Sequence, residues 1–232
     1  MKKAFTFLEV MFGLMIVGLI SAMVIPIFYN TYGHKVMGTQ LKKVCAQITL
    51  ATKEVMTDER ADDTMTLDTE ELDSDTERGF YYTTAGVKTS NATQGAQYFL
   101  NKYFRHSKVN CGSGGTDDCV GAKYRTPEKK DLGKIPSDFY CIKTVNSATI
   151  CMKYDETDKV TKVIVDVNGA EKPNISGSDT FVMYITNDGN LKDLDDDEKN
   201  CNADRTTGES VIDYAAGCFT KVVANGWVMP KD

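Results

Sequence analysis

The first 28 residues, MKKAFTFLEVMFGLMIVGLISAMVIPIF, constrain the fold of this chain more than any other segment. Two lysines precede a long apolar run, Glu9 lies close to its start, and no charged side chain occurs from Val10 to Phe28. As an α-helix this run spans roughly 28 Å, about the thickness of the hydrocarbon core of a bilayer. The segment therefore predicts a helix that is covered by lipid or by other apolar helices.

Glu9 is the unusual residue of this segment. A carboxylate at the edge of an apolar helix is costly unless it meets a partner, and the helix supplies no cation beside it. A secretory signal accounts for Lys2 and Lys3, but the apolar stretch is longer than in the usual signal and no A-x-A cleavage site follows it. A plain membrane anchor is the alternative that hydropathy alone supports.

The apolar residues beyond the membrane-length segment recur with a 4-3-4-3-4 spacing, which places them on one face of a helix. They are Met37, Leu41, Val44, Ile48, Ala51 and Val55. The sequence therefore predicts one continuous helix from about Phe5 to about Met56. Residues 5–28 form its transmembrane or bundle half, and the amphipathic residues 29–57 pack against a soluble domain.

Residues 58–232 are enough for one soluble domain with a single core. The acidic, aromatic-poor stretch 58–79 predicts a solvent-exposed loop or short helix. Residues 91–106 predict a short amphipathic helix, and residues 110–137, rich in Gly, Asp, Lys and Pro, predict a loop.

Short β-rich segments separated by turns follow residue 138. They lie at 139–145, 148–154, 160–167 and 180–186, with a fifth at 219–223 or around Trp227. Consecutive strands joined by short turns, such as Asn146-Ser147, predict an antiparallel sheet, and the long helix then covers one of its faces. The predicted fold class is α+β.

The composition argues against two classes of function. The chain is acidic, with 27 Lys and Arg against 33 Asp and Glu and a formal net charge of −6, so we expect no nucleic-acid partner. It contains no G-x-S-x-G, H-E-x-x-H or glycine-rich phosphate loop. Its two histidines have non-catalytic explanations. His34 fits a position at the level of the lipid headgroups, and His106 fits the end of a helix. We therefore do not expect an enzyme.

Seven cysteines in a membrane-anchored chain indicate export to an oxidising compartment. Six follow residue 110 and allow fifteen pairings. Sequence proximity favours joining the nearest neighbours: Cys111 with Cys119, Cys141 with Cys151 and Cys201 with Cys218. The seventh, Cys45, is either a buried free thiol or the partner of one of the six. No C-x-x-C spacing occurs, so a zinc site is not expected.

The stretch from Asp166 to Asp179 combines short polar side chains with glycines. Such residues form loops locked by side chain-to-backbone hydrogen bonds, and their oxygens also suit Ca²⁺. The candidate ligands are Asp166, Asn168, Asn174 and Asp179. A structural turn and a calcium site both stay open, and Ca²⁺ is the one cofactor that we weigh. The acidic run at 193–198 is a second oxygen-rich candidate.

The order Lys2-Lys3-Ala4, then Phe5-Thr6-Phe7-Leu8-Glu9, then the apolar run resembles the class III signal of type IV pilins and type II secretion pseudopilins. The resemblance implies that a prepilin peptidase cuts between Ala4 and Phe5 and that Phe5 is then N-methylated. Ala4 departs from the glycine that the family more often has at this position. The resemblance is specific over about the first thirty residues, and beyond them it is one of layout.

The resemblance also assigns roles in assembly. Glu9 lies where the family has its glutamate, and Gly18 and Pro26 lie where family members tend to have a softening glycine and a kinking proline. The Glu9 carboxylate of one subunit would meet the Phe5 amine of a neighbour. Two charges about 4 Å apart attract by several kcal/mol at a realistic effective dielectric. Desolvation offsets much of this attraction, so the pair acts mainly on register.

The resemblance implies a structural subunit, stored in the bacterial inner membrane with its pilin-like domain, residues 58–232, in the periplasm. It then joins a pilus or pseudopilus. The implied partners are other pilin subunits, the prepilin peptidase, the inner-membrane assembly platform and the membrane. Two alternatives stay open. One is a binding module on the same fibre, an adhesin or DNA-uptake tip, for which the basic, aromatic stretch Tyr98 to Lys108 is the local feature. The other is an exported domain, such as an enzyme or receptor, with an uncleaved anchor.

Overall fold

The protein is described by a computed structural model. It describes residues 6–61, 92–109, 111, 119–155, 160–186, 189–201 and 210–229. Within the helices, the side chains of residues 26–32, 34, 55–61 and 92–95 are outside this description. The predicted leader, residues 1–4, and most of the predicted acidic loop or short helix at 58–79 also lie outside the described residues.

A single helix, α1, spans Phe7–Ala61 and contains 55 residues. The predicted continuous helix is confirmed, although it ends at Ala61 and not near Met56. Of the predicted stripe, Leu41, Val44, Ile48 and Ala51 are buried and Met37 packs partly buried against the core, while the side chain of Val55 is not described. The folded body formed by the strands and helices after α1 is called the head below. The segment from Met37 to Ala51 packs into the head, and the apolar segment before it does not.

In its described residues, the head contains three further α-helices, a short 3-10 helix at Glu198–Asn200 and eight strands. The helices are α2 (Ala92–Tyr103), α3 (Val211–Ala215) and α4 (Cys218–Ala224). The strands are β1 (His106–Val109), β2 (Tyr124–Arg125), β3 (Asp131–Gly133), β4 (Tyr140–Thr144), β5 (Thr149–Asp155), β6 (Val160–Asp166), β7 (Thr180–Ile185) and β8 (Leu191–Asp193). Six strands form an antiparallel sheet in the order β1-β4-β5-β6-β7-β8, and β2 pairs with β3 in a small second sheet. The predicted α+β class with an antiparallel sheet is therefore confirmed.

Side chains of the central strands alternate between two buried faces. One face, represented by Ile142 and Val163, packs with α2 and with the buried stripe of α1. The opposite face, represented by Ile164, packs under Tyr124 and Tyr214. The prediction that the long helix covers one face is consistent with this layout. The second face is also covered, because the segment around β2 and β3 folds back over it together with α3.

Three local predictions need correction. The fifth strand is predicted at 219–223 or around Trp227, and neither forms a strand. Residues 219–223 lie in α4, where Phe219 and Val222 are both buried one helical turn apart, and Trp227 lies in the turn that follows. The loop expected at 110–137 contains β2 and β3. The fifth and sixth strands of the main sheet are β1 and β8, which are short and polar and therefore carry little strand signal.

Candidate functional site

The segment Phe7–Ile25 of α1 is an apolar surface that the rest of the described chain leaves uncovered. It has 19 residues with a mean hydropathy of 2.4, and none of it is buried. Phe7 is 81% exposed and Met23 is 70% exposed. The helix is long and apolar enough to cross a membrane, a description that fits both a membrane anchor and a signal sequence. Because so large an apolar area is unfavourable in water, lipid or another apolar surface has to cover it.

Glu9 lies in the first turn of α1 and has a local partner. Its Oε2 accepts hydrogen bonds from the Thr6 backbone N–H and from the Thr6 hydroxyl, both at 3.0 Å. The Thr6 hydroxyl oxygen accepts in turn from the Glu9 N–H at 3.4 Å. This reciprocal arrangement is a capping box, which the Thr6-x-x-Glu9 pattern predicts. The carboxylate thus has a hydrogen-bond partner in its own helix, but both donors are neutral and leave its charge available to a cation of another molecule.

The other residues of the predicted processing and assembly set lie in three different situations. Ala4 and Phe5 are outside the described residues. Gly18 is surrounded by open space, since a Cβ built there meets no atom within 4 Å, so a second helix is free to approach it. The chain stays helical through Gly18 and Pro26, and the structure shows no break between them.

The six cysteines after residue 110 form three disulfides, and each joins the nearest neighbours in sequence, as predicted. They are Cys111–Cys119, Cys141–Cys151 and Cys201–Cys218. Cys45 is the free cysteine and is buried in the core cluster that α1 shares with the sheet. Burial raises the pKa of its thiol to about 12. Cys45 is therefore a core residue, the first of the two alternatives that the sequence left open.

The loop from Asp166 to Asp179 brings two carboxylates together. Asp166 ends β6 and pairs with Thr180, the residue after Asp179, and both carboxylate side chains are completely buried. The Tyr124 hydroxyl donates to Asp166 Oδ2 at 2.6 Å and accepts from the Gly121 N–H at 2.9 Å. Burial, and then the neighbouring charge of Asp179, raises the pKa of Asp166 well above its ordinary value. Burial likewise raises the pKa of Asp179 to about 6.

The two asparagines of this predicted set take different roles. Asn168 donates through Nδ2 to the Glu171 carbonyl at 2.8 Å, and its side chain lies beside the Asp179 carboxylate. The buried Asn174 amide, oriented with its nitrogen toward the nearby carbonyls, donates to Gly169 O at 3.2 Å and Glu171 O at 2.8 Å. Asn174 in this orientation holds the loop together as a hydrogen-bond donor, while Asn168 Oδ1 is buried and makes no hydrogen bond.

The acidic run at 193–198 has a structural use at its first residue. Asp193 Oδ1 accepts from the Gly217 N–H and Oδ2 accepts from the Thr220 N–H, both at 2.8 Å, which caps the start of α4. Burial raises the pKa of Asp193, and these backbone donors act against that rise. Within the described ranges, no group of three or more His, Cys, Asp or Glu side chains is placed to hold a metal ion.

The basic, aromatic stretch Tyr98 to Lys108 uses its aromatic rings internally. The Lys102 ammonium lies over the ring of Tyr98 at 5.2 Å and over the ring of Tyr103 at 5.1 Å. Tyr103 also packs against the buried Phe99, with ring centroids 5.6 Å apart.

Comparisons of the chain with protein-family models, with curated proteins and with solved structures give no match. The resemblance to pilins therefore depends on the N-terminal residues and on the layout of the chain.

Proposed function

We propose that this chain is a structural subunit, a pilin or pseudopilin, of a type IV pilus or a type II secretion filament. It is cut between Ala4 and Phe5 by a prepilin peptidase and assembles through its N-terminal helix. Before assembly the apolar half of that helix is held in the bacterial inner membrane, and the disulfide-bonded head lies in the periplasm. The inner-membrane assembly platform then adds the subunit to the filament.

The observation that supports this proposal is the division of α1 into two halves with opposite surroundings. Phe7–Ile25 is uncovered and apolar, whereas Leu41, Val44 and Ile48 lie inside the core of the head. One continuous helix thus carries a head at one end and a surface suited to lipid at the other. The same surface can pack against copies of itself, which is what a filament core of parallel helices requires.

Glu9 gives this surface a means of fixing register. In an apolar bundle a charged group is tolerated where it is paired, and the capping box with Thr6 supplies only neutral donors. Cleavage after Ala4 creates an amine on Phe5, four positions before Glu9. The Glu9 carboxylate of one subunit then pairs with the Phe5 ammonium of the next.

The test is filament assembly by three variants in the strain that makes the filament. Glu9→Ala removes both the cap and the charge. Glu9→Gln keeps an oxygen that accepts from Thr6 and removes only the charge, and Thr6→Ala removes the hydroxyl and keeps the charge. We expect all three to reach the membrane, and we expect only Thr6→Ala to be found in sheared filaments in near-normal amounts.

This set separates charge pairing from helix capping. If Glu9→Gln assembles as the natural chain does while Thr6→Ala is impaired, Glu9 acts as a cap and the proposed pairing is wrong. If all three variants assemble normally, the apolar helix half has no charge-dependent register and the assembly role proposed for Glu9 is lost.

A further inference from the structure

Three side-chain oxygens of the 166–179 loop are buried and make no hydrogen bond of ordinary length and angle. They are Asp166 Oδ1, Asn168 Oδ1 and Asp179 Oδ2. Buried polar atoms in folded proteins nearly always have a partner, and those that do not call for an explanation such as an ion. Three in one loop, two of them on completely buried carboxylates, point to a missing positively charged group.

Each of the three side chains is held in place by its other polar atom. The Tyr124 hydroxyl donates to Asp166 Oδ2 at 2.6 Å, and because the Gly121 N–H occupies the phenol oxygen as a donor, the phenol proton is directed at Asp166. Asn168 Nδ2 donates to a backbone carbonyl at 2.8 Å. The free oxygens of these side chains therefore have defined positions.

Asp179 is anchored in the same way. Its Oδ1 accepts from the Ile175 N–H at 2.8 Å and from the Thr180 hydroxyl at 3.1 Å, which leaves Oδ2 free. Backbone pairing keeps this residue next to Asp166, since the Val167 N–H donates to the Asp179 carbonyl at 2.9 Å.

The described part of the chain shows no cation paired with these carboxylates. In the described ranges, no lysine or arginine forms a salt bridge with Asp166 or Asp179. Two like charges buried side by side repel each other, and each is unfavourable in a medium of low polarity. A bound cation removes both costs at once.

The chemistry of the donors selects the ion. All three atoms are carboxylate or amide oxygens, which suit hard cations and exclude the soft metals that prefer sulfur or imidazole. Ca²⁺ accepts a flexible shell of oxygens from side chains, carbonyls and water, whereas Mg²⁺ demands a near-ideal octahedron. Asn168 is only partly buried, so an ion has a path to the site.

We propose that the 166–179 loop binds one calcium ion through Asp166 Oδ1, Asn168 Oδ1 and Asp179 Oδ2. The ion ties the end of β6 to the start of β7 and to the second face of the sheet through Tyr124. The inference concerns the head alone and does not depend on the proposed function of the N-terminal helix.

The test is calcium binding by the full-length chain in detergent micelles. The chelator-treated protein is dialysed against radioactive calcium, and its thermal unfolding is followed with calcium and with chelator. We expect one ion per chain, with a dissociation constant near the range of about 10⁻⁴–10⁻³ M found for extracellular calcium modules. At one hundred times that constant, the unfolding equilibrium constant falls about 100-fold.

The variants Asp166→Asn and Asp179→Asn keep the shape of each side chain and remove its charge, so both should lose the bound ion. Asp193→Asn is the matched control, because Asp193 is also a buried carboxylate but already has donors for both oxygens. That control should bind calcium as the natural chain does.

Two results overturn the proposal. One is a natural chain that binds no calcium at about 10 mM, well above the range for such modules, which would mean that a proton shared by the carboxylates occupies the site. The other is binding that Asp179→Asn retains as fully as Asp193→Asn does. The first result needs no variant, so the proposal stays testable even where Asp166→Asn fails to fold.

Discussion

Cys45 carries the free thiol of the chain and lies inside the core that α1 shares with the sheet. Its sulfur is 4.0 Å from the sulfur of Met183. An apolar environment disfavours the thiolate, which is the reactive form of cysteine. The residue therefore acts as a small apolar side chain, even in a head that uses six other cysteines for disulfides.

We expect a thiol-specific reagent at pH 8 to leave the native chain unlabelled and to label one thiol per chain after denaturation without reduction. Because the pKa of Cys45 is raised to about 12, this residue's contribution to stability is complete at neutral pH. It is lost only as the pH rises from the ordinary thiol value toward 12. Rapid labelling of the native chain would show that the thiol is not buried.

The end of the chain contacts α1 where the helix leaves the head. The turn after α4 places the Trp227 carbonyl against Gly38, and a Cβ built at Gly38 would lie 1.9 Å from that oxygen. The Trp227 ring packs edge-on against Phe219 with centroids 6.0 Å apart, and the Lys42 ammonium lies 5.7 Å from its centroid. Glycine at position 38 is thus required by a close approach of two backbones.

Gly38→Ala should destabilise the head by about 1–3 kcal/mol, because the added methyl group meets backbone that has to move. Gly33→Ala is the matched control on the same helix, since a Cβ there meets nothing within 4 Å. That control should be neutral or stabilising by up to about 1 kcal/mol through helix propensity.

Urea unfolding can be followed by the fluorescence of Trp227, the single tryptophan of the chain. Equal stability of the two variants would mean that the contact does not hold in solution.

The elements that the sequence predicts well are those with a strong periodic signal. The spacing from Leu41 to Ala51 places the buried face of α1 correctly, and the β-rich segments separated by short turns place β4 to β7. The short polar strand His106–Val109 was missed because its place comes from pairing with β4 and not from its own residues. The capping box of Thr6 and Glu9 follows from a local pattern, Thr-x-x-Glu at the start of an apolar run.

The candidate ion site was predictable only in part. The spacing of Asp166, Asn168 and Asp179 indicates an oxygen-rich loop, but it does not show which oxygens remain free. Tyr124 contributes from a segment 42 residues away in sequence, a contact that no local pattern predicts. The capping of α4 by Asp193 is likewise a tertiary contact. Sequence alone therefore does not distinguish an aspartate that caps a helix from one that faces the candidate ion site.

In the whole molecule, α1 has separate tasks along its length. Leu41, Val44 and Ile48 are buried in the head, and each contributes about 1.5–3 kcal/mol through burial. Their sum is comparable with the total stability of an ordinary domain, about 5–15 kcal/mol. Within the described ranges, the apolar segment Phe7–Ile25 contributes no buried side chain. The head is therefore expected to fold whether or not the N-terminal segment is covered by lipid or by other helices.

A chain that starts at residue 33 should fold without detergent, with native disulfides and a cooperative unfolding transition. A chain that starts at residue 53 lacks the buried stripe and should not give such a transition. Circular dichroism, gel filtration and thermal melts compare the two. If the chain from residue 33 aggregates or melts without cooperativity, the apolar segment is part of the folding unit.

The central proposal is that the N-terminus is cut and methylated before the subunit joins a filament. Intact-mass spectrometry of the protein in sheared surface filaments, with fragmentation of the N-terminal peptide, measures it directly. We predict a chain that begins at Phe5 and carries a methyl group on its amine. Filaments built from a chain that still begins at Met1, or a chain found only in the membrane with Met1 intact, would contradict the account.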